Sequence, residues 1–192
     1  MSGALVSRAV AWALVAVSSV LVGCAQIHIG PPVAGVDNIQ KARALGAAPL
    51  AVGNFKAGPD VKDDAGISMR SNTVSSPVQG SFAQYLKENL TVDLKAAGLL
   101  DPASKTVVSG ELVESKLDSA SSGGSGSLGA RFVVTRNGAQ VFEKSLRVQA
   151  TWPSSFVGAV AIPAAINNYG GLYRELIGKL LDDPDFRRAL KT

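Results

Sequence analysis

The chain has 192 residues with 19 basic and 15 acidic side chains, a formal net charge of +4, and 46% of its residues are hydrophobic. So mild a positive balance leaves no electrostatic footprint for nucleic acid. A single cysteine and a single histidine exclude a disulfide framework within the chain and the clustered His/Cys ligands of a zinc centre.

The N-terminal region carries one basic residue, Arg8, followed by an apolar stretch from Ala9 to Val22, 14 residues long. That is well short of the ~20 residues a transmembrane helix needs. The stretch closes on Leu21-Val22-Gly23-Cys24. A short basic region, an apolar region and small residues before the cysteine are the layout of a secretory signal. The run resembles the lipobox of bacterial lipoproteins. The resemblance implies that Leu21, Val22 and Gly23 are read by the processing machinery. It also implies that the Cys24 thiol is diacylated and that Cys24 becomes the mature N-terminus. The next residue is Ala25 and not aspartate. By likeness to enterobacterial lipoproteins, that implies the outer membrane and not inner-membrane retention.

Removing residues 1–23 takes away only Arg8 among the charges, leaving 18 basic and 15 acidic residues. The expected organisation is a signal peptide over 1–23, a lipidated N-terminus and tether over 24–48, and a single α+β domain over 49–192. The tether reading rests on Gly30-Pro31-Pro32, Gly35 and Gly46, residues that punctuate regular structure. His28 falls in this stretch and reads as an exposed tether residue.

From Pro49 the pattern becomes that of a folded domain. Residues 50–55 alternate and predict a strand. Residues 56–80 are rich in Gly, Pro, Asp and Ser, with a short alternating run at Ile67–Arg70 that predicts an edge strand. Ser81-Phe82-Ala83-Gln84 has the form of a capping box. Phe82, Leu86, Leu90 and Leu94 recur every fourth residue before Gly98. The pattern predicts an amphipathic helix with a glycine C-cap.

Three strands are predicted over 106–117, 128–135 and 139–152. The last two flank Asn137-Gly138, a hairpin signal. Side-chain parity favours a three-residue loop, Arg136-Asn137-Gly138, with a bulge. That register pairs Phe132 with Phe142 and Leu128 with Leu146, and sets Arg131 opposite Glu143. The Gly/Ser run over 119–127 reads as a flexible hairpin loop. Its literal G-x-G-x-x-G at Gly124–Gly129 precedes a strand and so lacks the helix that a dinucleotide site requires.

After Pro153 comes a run of apolar and small residues, Phe156 to Ile166. One reading is a buried helix packing closely on the sheet. The other is a surface or groove for an acyl chain or a protein partner, carried by Phe156, Val157, Ala159, Val160, Ile162 and Ile166. Leu172, Leu176, Ile177, Leu180 and Leu181 space as a helix. Asp183-Pro184 reads as an N-cap with proline at the first helical position.

Catalytic chemistry finds little support. Asp60, Asp63 and Asp64 lack the spacing of a calcium loop, and Asp182, Asp183 and Asp185 are explained by capping. No G-x-S-x-G elbow accompanies the lone histidine. No enzyme activity, cofactor or metal is expected.

The order β–(β)–α–β–β–β–α resembles small proteobacterial outer-membrane lipoproteins of the YajG type. More loosely, it is similar to auxiliary lipoproteins of ABC lipid-transport systems. The residues that carry the likeness are Arg70, Pro77, Gly80-Ser81-Phe82-Ala83, Leu94-Lys95-Ala96-Ala97-Gly98, Val108-Ser109-Gly110, Ala130-Arg131-Phe132-Val133-Val134, Ser154-Ser155-Phe156-Val157-Gly158-Ala159 and Asp183-Pro184-Asp185-Phe186. These are caps, turns and strands, so they speak to fold and not to activity. The expected fold is α+β, with a mixed or antiparallel sheet of about four to five strands and helices on one face. The expected function is a non-catalytic binding or scaffold lipoprotein, lipid-anchored in the outer membrane and facing the periplasm. The alternative is an acyl-chain or lipid-handling accessory of an envelope transport complex, and an unrecognised enzyme comes third. Expected partners are the membrane, through the anchor, and an envelope protein or lipid, but no nucleic acid.

Overall fold

A computed structural model describes residues 26–120 and 122–191. The elements in chain order are β1 (Gln26–His28), α1 (Val36–Arg43), β2 (Ala51–Ala57), β3 (Ile67–Met69), β4 (Asn72–Ser75), α2 (Phe82–Ala97), β5 (Thr106–Ala120), β6 (Gly123–Arg136), β7 (Ala139–Trp152), α3 (Gly158–Asp182) and α4 (Pro184–Leu190). The protein is α+β. A four-stranded mixed sheet runs β2-β5-β6-β7, with β2 parallel to β5 and the remaining pairs antiparallel. A second sheet of three short strands runs β1-β4-β3.

The parallel β2–β5 pair needs a crossover, which α2 supplies. The helix forms where the sequence predicts it, burying Phe82, Leu86, Leu90 and Leu94. Gly98 ends it at φ +77°. Leu99 N–H donates to the Leu94 carbonyl at 2.9 Å and Gly98 N–H to the Lys95 carbonyl at 3.1 Å, the paired bonds of a Schellman motif. At the other end only half of the capping box forms. Ser81 Oγ accepts from Gln84 N–H at 3.2 Å, but the Gln84 amide donates to the Phe55 carbonyl at 2.6 Å. Asp64 takes over the remaining donors: its Oδ1 accepts from Ala83 N–H at 2.8 Å and its carbonyl from Phe82 N–H at 3.0 Å.

The core lies between the main sheet and the helices. Inward residues of β6 alternate as Leu128, Ala130, Phe132 and Val134, all fully buried. From α3, Tyr169, Leu172, Tyr173, Leu176, Ile177, Leu180 and Leu181 close over them.

Three expectations are corrected. The stretch from Gln26 to Gly46 is not a tether: β1 pairs with β4, α1 forms, and Ile29, Ala42 and Leu45 are buried in the core. The Gly/Ser run is not a long loop, since Gly124–Ser127 is paired with both β5 and β7. Glycine is required there because a Cβ on Gly124 would lie 2.1 Å from the Trp152 indole nitrogen, and one on Gly126 3.0 Å from Leu172. The β6–β7 hairpin has a two-residue loop, not three. Asn137 and Gly138 both have positive φ, +52° and +83°, the signature of a type I′ turn. A bulge past Val134 then shifts the register, so that Phe132 faces Lys144, Val134 faces Phe142 and Leu128 faces Val148. The extra residue, Val141, restores the parity that the sequence demands.

Candidate functional site

Cys24 and the residues Leu21, Val22 and Gly23 fall outside the described residues. His28 is exposed, as expected, but is anchored through a 2.9 Å hydrogen bond between its Nδ1 and Ser75 Oγ.

The 156–166 segment divides between its two readings. The last inward residue of β7, Trp152, is buried, and the chain then leaves the sheet at Pro153. Ala161 and Ala165 sit fully buried on the core, with Ile162 and Ile166 packed beside them. Their small size lets α3 approach the sheet closely. Phe156, Val157 and Val160 point outward at 85%, 56% and 60% exposure, and Ala159 is exposed with them. The segment is one amphipathic start of a helix, with a packed stripe and an unpartnered apolar stripe.

Arg70 fixes where this segment begins. It lies in the β3–β4 turn at φ +47°, next to Ser71 at +64°. Its Nε donates to the Ser119 carbonyl at 2.6 Å, and Nη2 to the Ser155 carbonyl at 2.9 Å. Nη1 reaches the Phe156 carbonyl at 3.3 Å. One guanidinium thereby ties the small sheet to the end of β5 and to the lead into α3. The rigid fork of arginine suits a junction of several carbonyls. Sequence reading gave Arg70 no role of its own, because its partners are backbone atoms far away along the chain.

The solvent face of the main sheet is ordered by charge. Glu111 on β5 lies opposite Arg131 on β6 and forms an ion pair with it; Arg131 also reaches Glu143 on β7 at 2.9 Å, and Lys56 on β2 approaches Glu111. Arg131 holds the Glu111 carboxyl below its ordinary pKa, with Lys56 adding to the effect. Beside this row, Glu114 accepts from Ser127 Oγ at 2.8 Å and pairs with Arg147 at 2.6 Å. Burial pushes Glu114 up, but Ser127, Arg147 and Lys116 together outweigh it and lower the pKa. A shallow depression near this group is lined by Lys116, Asp118, Ser125, Arg147 and Thr151. Leu117 and Ala150 complete the lining, and Lys116 and Arg147 both pair with the neighbouring Glu114.

Inside the core, Ser115, Tyr169 and Tyr173 form a hydroxyl chain with spacings of 2.7 and 2.9 Å. Burial drives Tyr169 up to about 12 and Tyr173 well above the usual phenol range. Both remain neutral phenols that join α3 to the sheet. Asp60, Asp63 and Asp64 do not gather as ligands, since Asp64 is spent on the N-terminus of α2. Asp183 accepts from Asp185 and Phe186 N–H at the start of α4, as its spacing predicts.

The class this architecture defines is a two-sheet α+β domain with its long helices on one face of the larger sheet. No family model and no curated protein matches the sequence. Among solved structures, a Xanthomonas campestris protein of the DUF330 family superposes with a TM-score of 0.57 at 15% identity, covering 82% of this chain and 95% of that one. A hypothetical protein from Chlamydia trachomatis gives 0.42 at 12% identity, over 70% and 96% of the two chains. A minor lipoprotein from Acinetobacter baumannii gives 0.37 at 12%, over 75% and 94%. The Xanthomonas likeness is one of fold, and fold alone does not carry activity.

Proposed function

We propose that this chain is a bacterial envelope lipoprotein, acylated on Cys24 and held in the outer membrane as a non-catalytic binding or scaffold module. The observation that carries the reading is the run Leu21-Val22-Gly23-Cys24, which stands directly before a folded domain whose first strand begins at Gln26. Among the described residues no helix is long and apolar enough to cross a membrane, so the acyl chains would supply the attachment.

The scaffold reading draws support from β7. This strand spans Ala139–Trp152 and forms one edge of the main sheet. A long edge is a template for pairing with another chain. Lys179 caps part of it by donating to the Arg147 carbonyl at 2.9 Å. The filled core and the polar character of the sheet face argue against an interior lipid carrier. The lipid-handling alternative rests on exposed Phe156, Val157 and Val160 alone.

Metabolic labelling with an alkyne-bearing palmitate tests the anchor. Wild type should carry label and sediment with outer membranes, and Cys24→Ala should lose both. Label retained by Cys24→Ala would end the lipoprotein reading. Native mass spectrometry of the detergent-extracted protein separates the two roles. A protein partner supports the scaffold, whereas a stoichiometric phospholipid without one supports the lipid-handling alternative.

A further inference from the structure

The exposed apolar stripe and Gln26, the first described residue, lie at the same end of the molecule. Three large apolar side chains, Phe156, Val157 and Val160, stand open to solvent within one turn and its lead-in. Such clustering marks a surface that meets something apolar. Arg70 ties this segment to the β3–β4 turn through the carbonyls of Ser155 and Phe156. In the small sheet, β1 runs parallel to β4 with Gln26 opposite Thr73, three residues beyond Arg70. The chain therefore enters β1 at the level of the turn that holds the apolar segment. Two peptide units link Gln26 to Cys24, a reach of at most about 7 Å. A free tether over 24–48 would instead have spanned about 25 Å on average. Because residues 26–46 are folded, an acylated Cys24 would stay within that reach of Gln26, at the end that displays Phe156.

We propose that Phe156, Val157 and Val160 form a membrane-contact surface that enters the interfacial layer of the same leaflet that holds the Cys24 acyl chains, so that the domain stands directly on the bilayer. The occupant is fixed by tether length: the anchor keeps lipid beside this end at all times. Aromatic and aliphatic side chains flanked by the Ser154 and Ser155 hydroxyls and the Arg70 guanidinium match the apolar-to-polar gradient of the interface. The opposite end, with the Asn137-Gly138 turn, then faces away from the membrane and leaves the β7 edge clear of it, apart from the part that Lys179 caps. This inference rests on the lipoprotein reading of Cys24.

The test uses the full acylated protein, extracted in detergent and reconstituted into phosphatidylethanolamine and phosphatidylglycerol vesicles. Intact mass first establishes whether acyl chains are present. Val157→Cys, Val160→Cys and Val141→Cys variants are each labelled with a nitrobenzoxadiazole probe, since an acylated Cys24 is a thioether and takes no label. Emission should shift to the blue and be quenched by spin-labelled lipid at positions 157 and 160. Position 141, beside the far turn, should show neither change. Unchanged emission at 157 and 160 on acylated, vesicle-bound protein would overturn the inference and leave the lipoprotein reading standing. A blue shift without vesicles that grows with protein concentration would assign the surface to a second copy of the chain and overturn it too. An intact mass without acyl chains would overturn the lipoprotein reading itself.

Discussion

Asn38 donates through Nδ2 to Asp93 Oδ2 at 2.8 Å, and this bond binds α1 to α2 inside the protein. Asp93 Oδ1 also accepts from Gly35 N–H at 2.8 Å, while Asn38 Nδ2 reaches the Arg174 carbonyl on α3 at 3.0 Å. Both side chains are buried. A short helix whose buried residues are Asn38 and Ala42 has little apolar surface to hold it. Its place is set by polar bonds that pay off only when complete.

Asp93→Ala should therefore destabilise the protein by about 1–3 kcal/mol, because it takes the acceptor from the Gly35 N–H and from one proton of the buried Asn38 amide. Urea denaturation at neutral pH measures this. The pH dependence has a definite sign. Burial raises the Asp93 pKa above its ordinary value, against the lowering effect of Asn38 and Gly35. A raised carboxylate pKa means the folded state binds the proton more tightly. The associated stability is full below the unfolded pKa and is lost as pH rises through the folded one. The gap between wild type and Asp93→Ala should widen on acidification, and a gap that narrows would refute the assignment.

Glu111 behaves in the opposite sense. Arg131 lowers its pKa, so its contribution is present above the unfolded value and fades as pH falls through the folded one. The partner Arg131 is 42% exposed, and solvent screening keeps the contribution of the pair small. Glu111→Gln should show that small loss at neutral pH and converge on wild type in acid. A constant difference across the range would mean that charge is not its source.

What the sequence left unread has physical causes. The helix α2 was legible because its apolar stripe, cap and terminal glycine agree. The β6–β7 register was half legible: period-two patterning shows which face each residue takes but is blind to a shift of two. The expected pairing of Phe132 with Phe142 and the observed pairing of Phe132 with Lys144 satisfy the same alternation. Arg131 was expected opposite Glu143 and stands opposite Ser145, yet still bonds Glu143 on the diagonal. The Gly/Ser strand carries no side chains with which to alternate, since its role is to admit Trp152 and Leu172. Residues 26–46 looked like linker because glycine and proline punctuate them, and because α1 is held by Asn38 and not by an apolar stripe. In the 156–166 segment, sequence named the apolar residues but could not sort Ala161 and Ala165 from Phe156 and Val160. Sorting them required the direction in which α3 meets the sheet.

The hairpin turn offers a test of its own. A type I′ turn demands positive φ at both central residues, whereas a three-residue loop demands it only at Gly138. Gly138→Val and Asn137→Val should each cost about 1–2 kcal/mol, because a β-branched residue is penalised in the left-handed region. Asn137→Gly should change stability little. A harmless Asn137→Val would restore the three-residue loop.

Along α3, two alanines separate packing from surface. Ala165 is fully buried and Ala159 is exposed. Ala165→Leu should overpack the helix–sheet contact and cost about 1–3 kcal/mol. Ala159→Leu should leave the thermal midpoint almost unchanged, since surface substitutions away from special features are usually within about 0.5 kcal/mol. A large shift for Ala159→Leu would place the first turn of α3 against the core and remove the exposed stripe.

The folded N-terminal stretch makes a prediction about where the domain starts. Ile29 is 2% exposed, and Tyr85 Oη donates to the Gly30 carbonyl at 2.9 Å. β1 also covers one edge of β4, with Ile29 N–H donating to the Ser75 carbonyl at 3.1 Å. A chain beginning at Ala34 would lose all of these, whereas one beginning at Gln26 would keep them. Removing a buried isoleucine side chain alone costs about 2–5 kcal/mol, and the lost β1 pairing adds to it. The shorter form should melt well below the longer one and expose the Tyr85 hydroxyl. Equal melting of the two forms would show that residues 26–33 are dispensable for the fold and that the domain hangs from its anchor on a free leader after all.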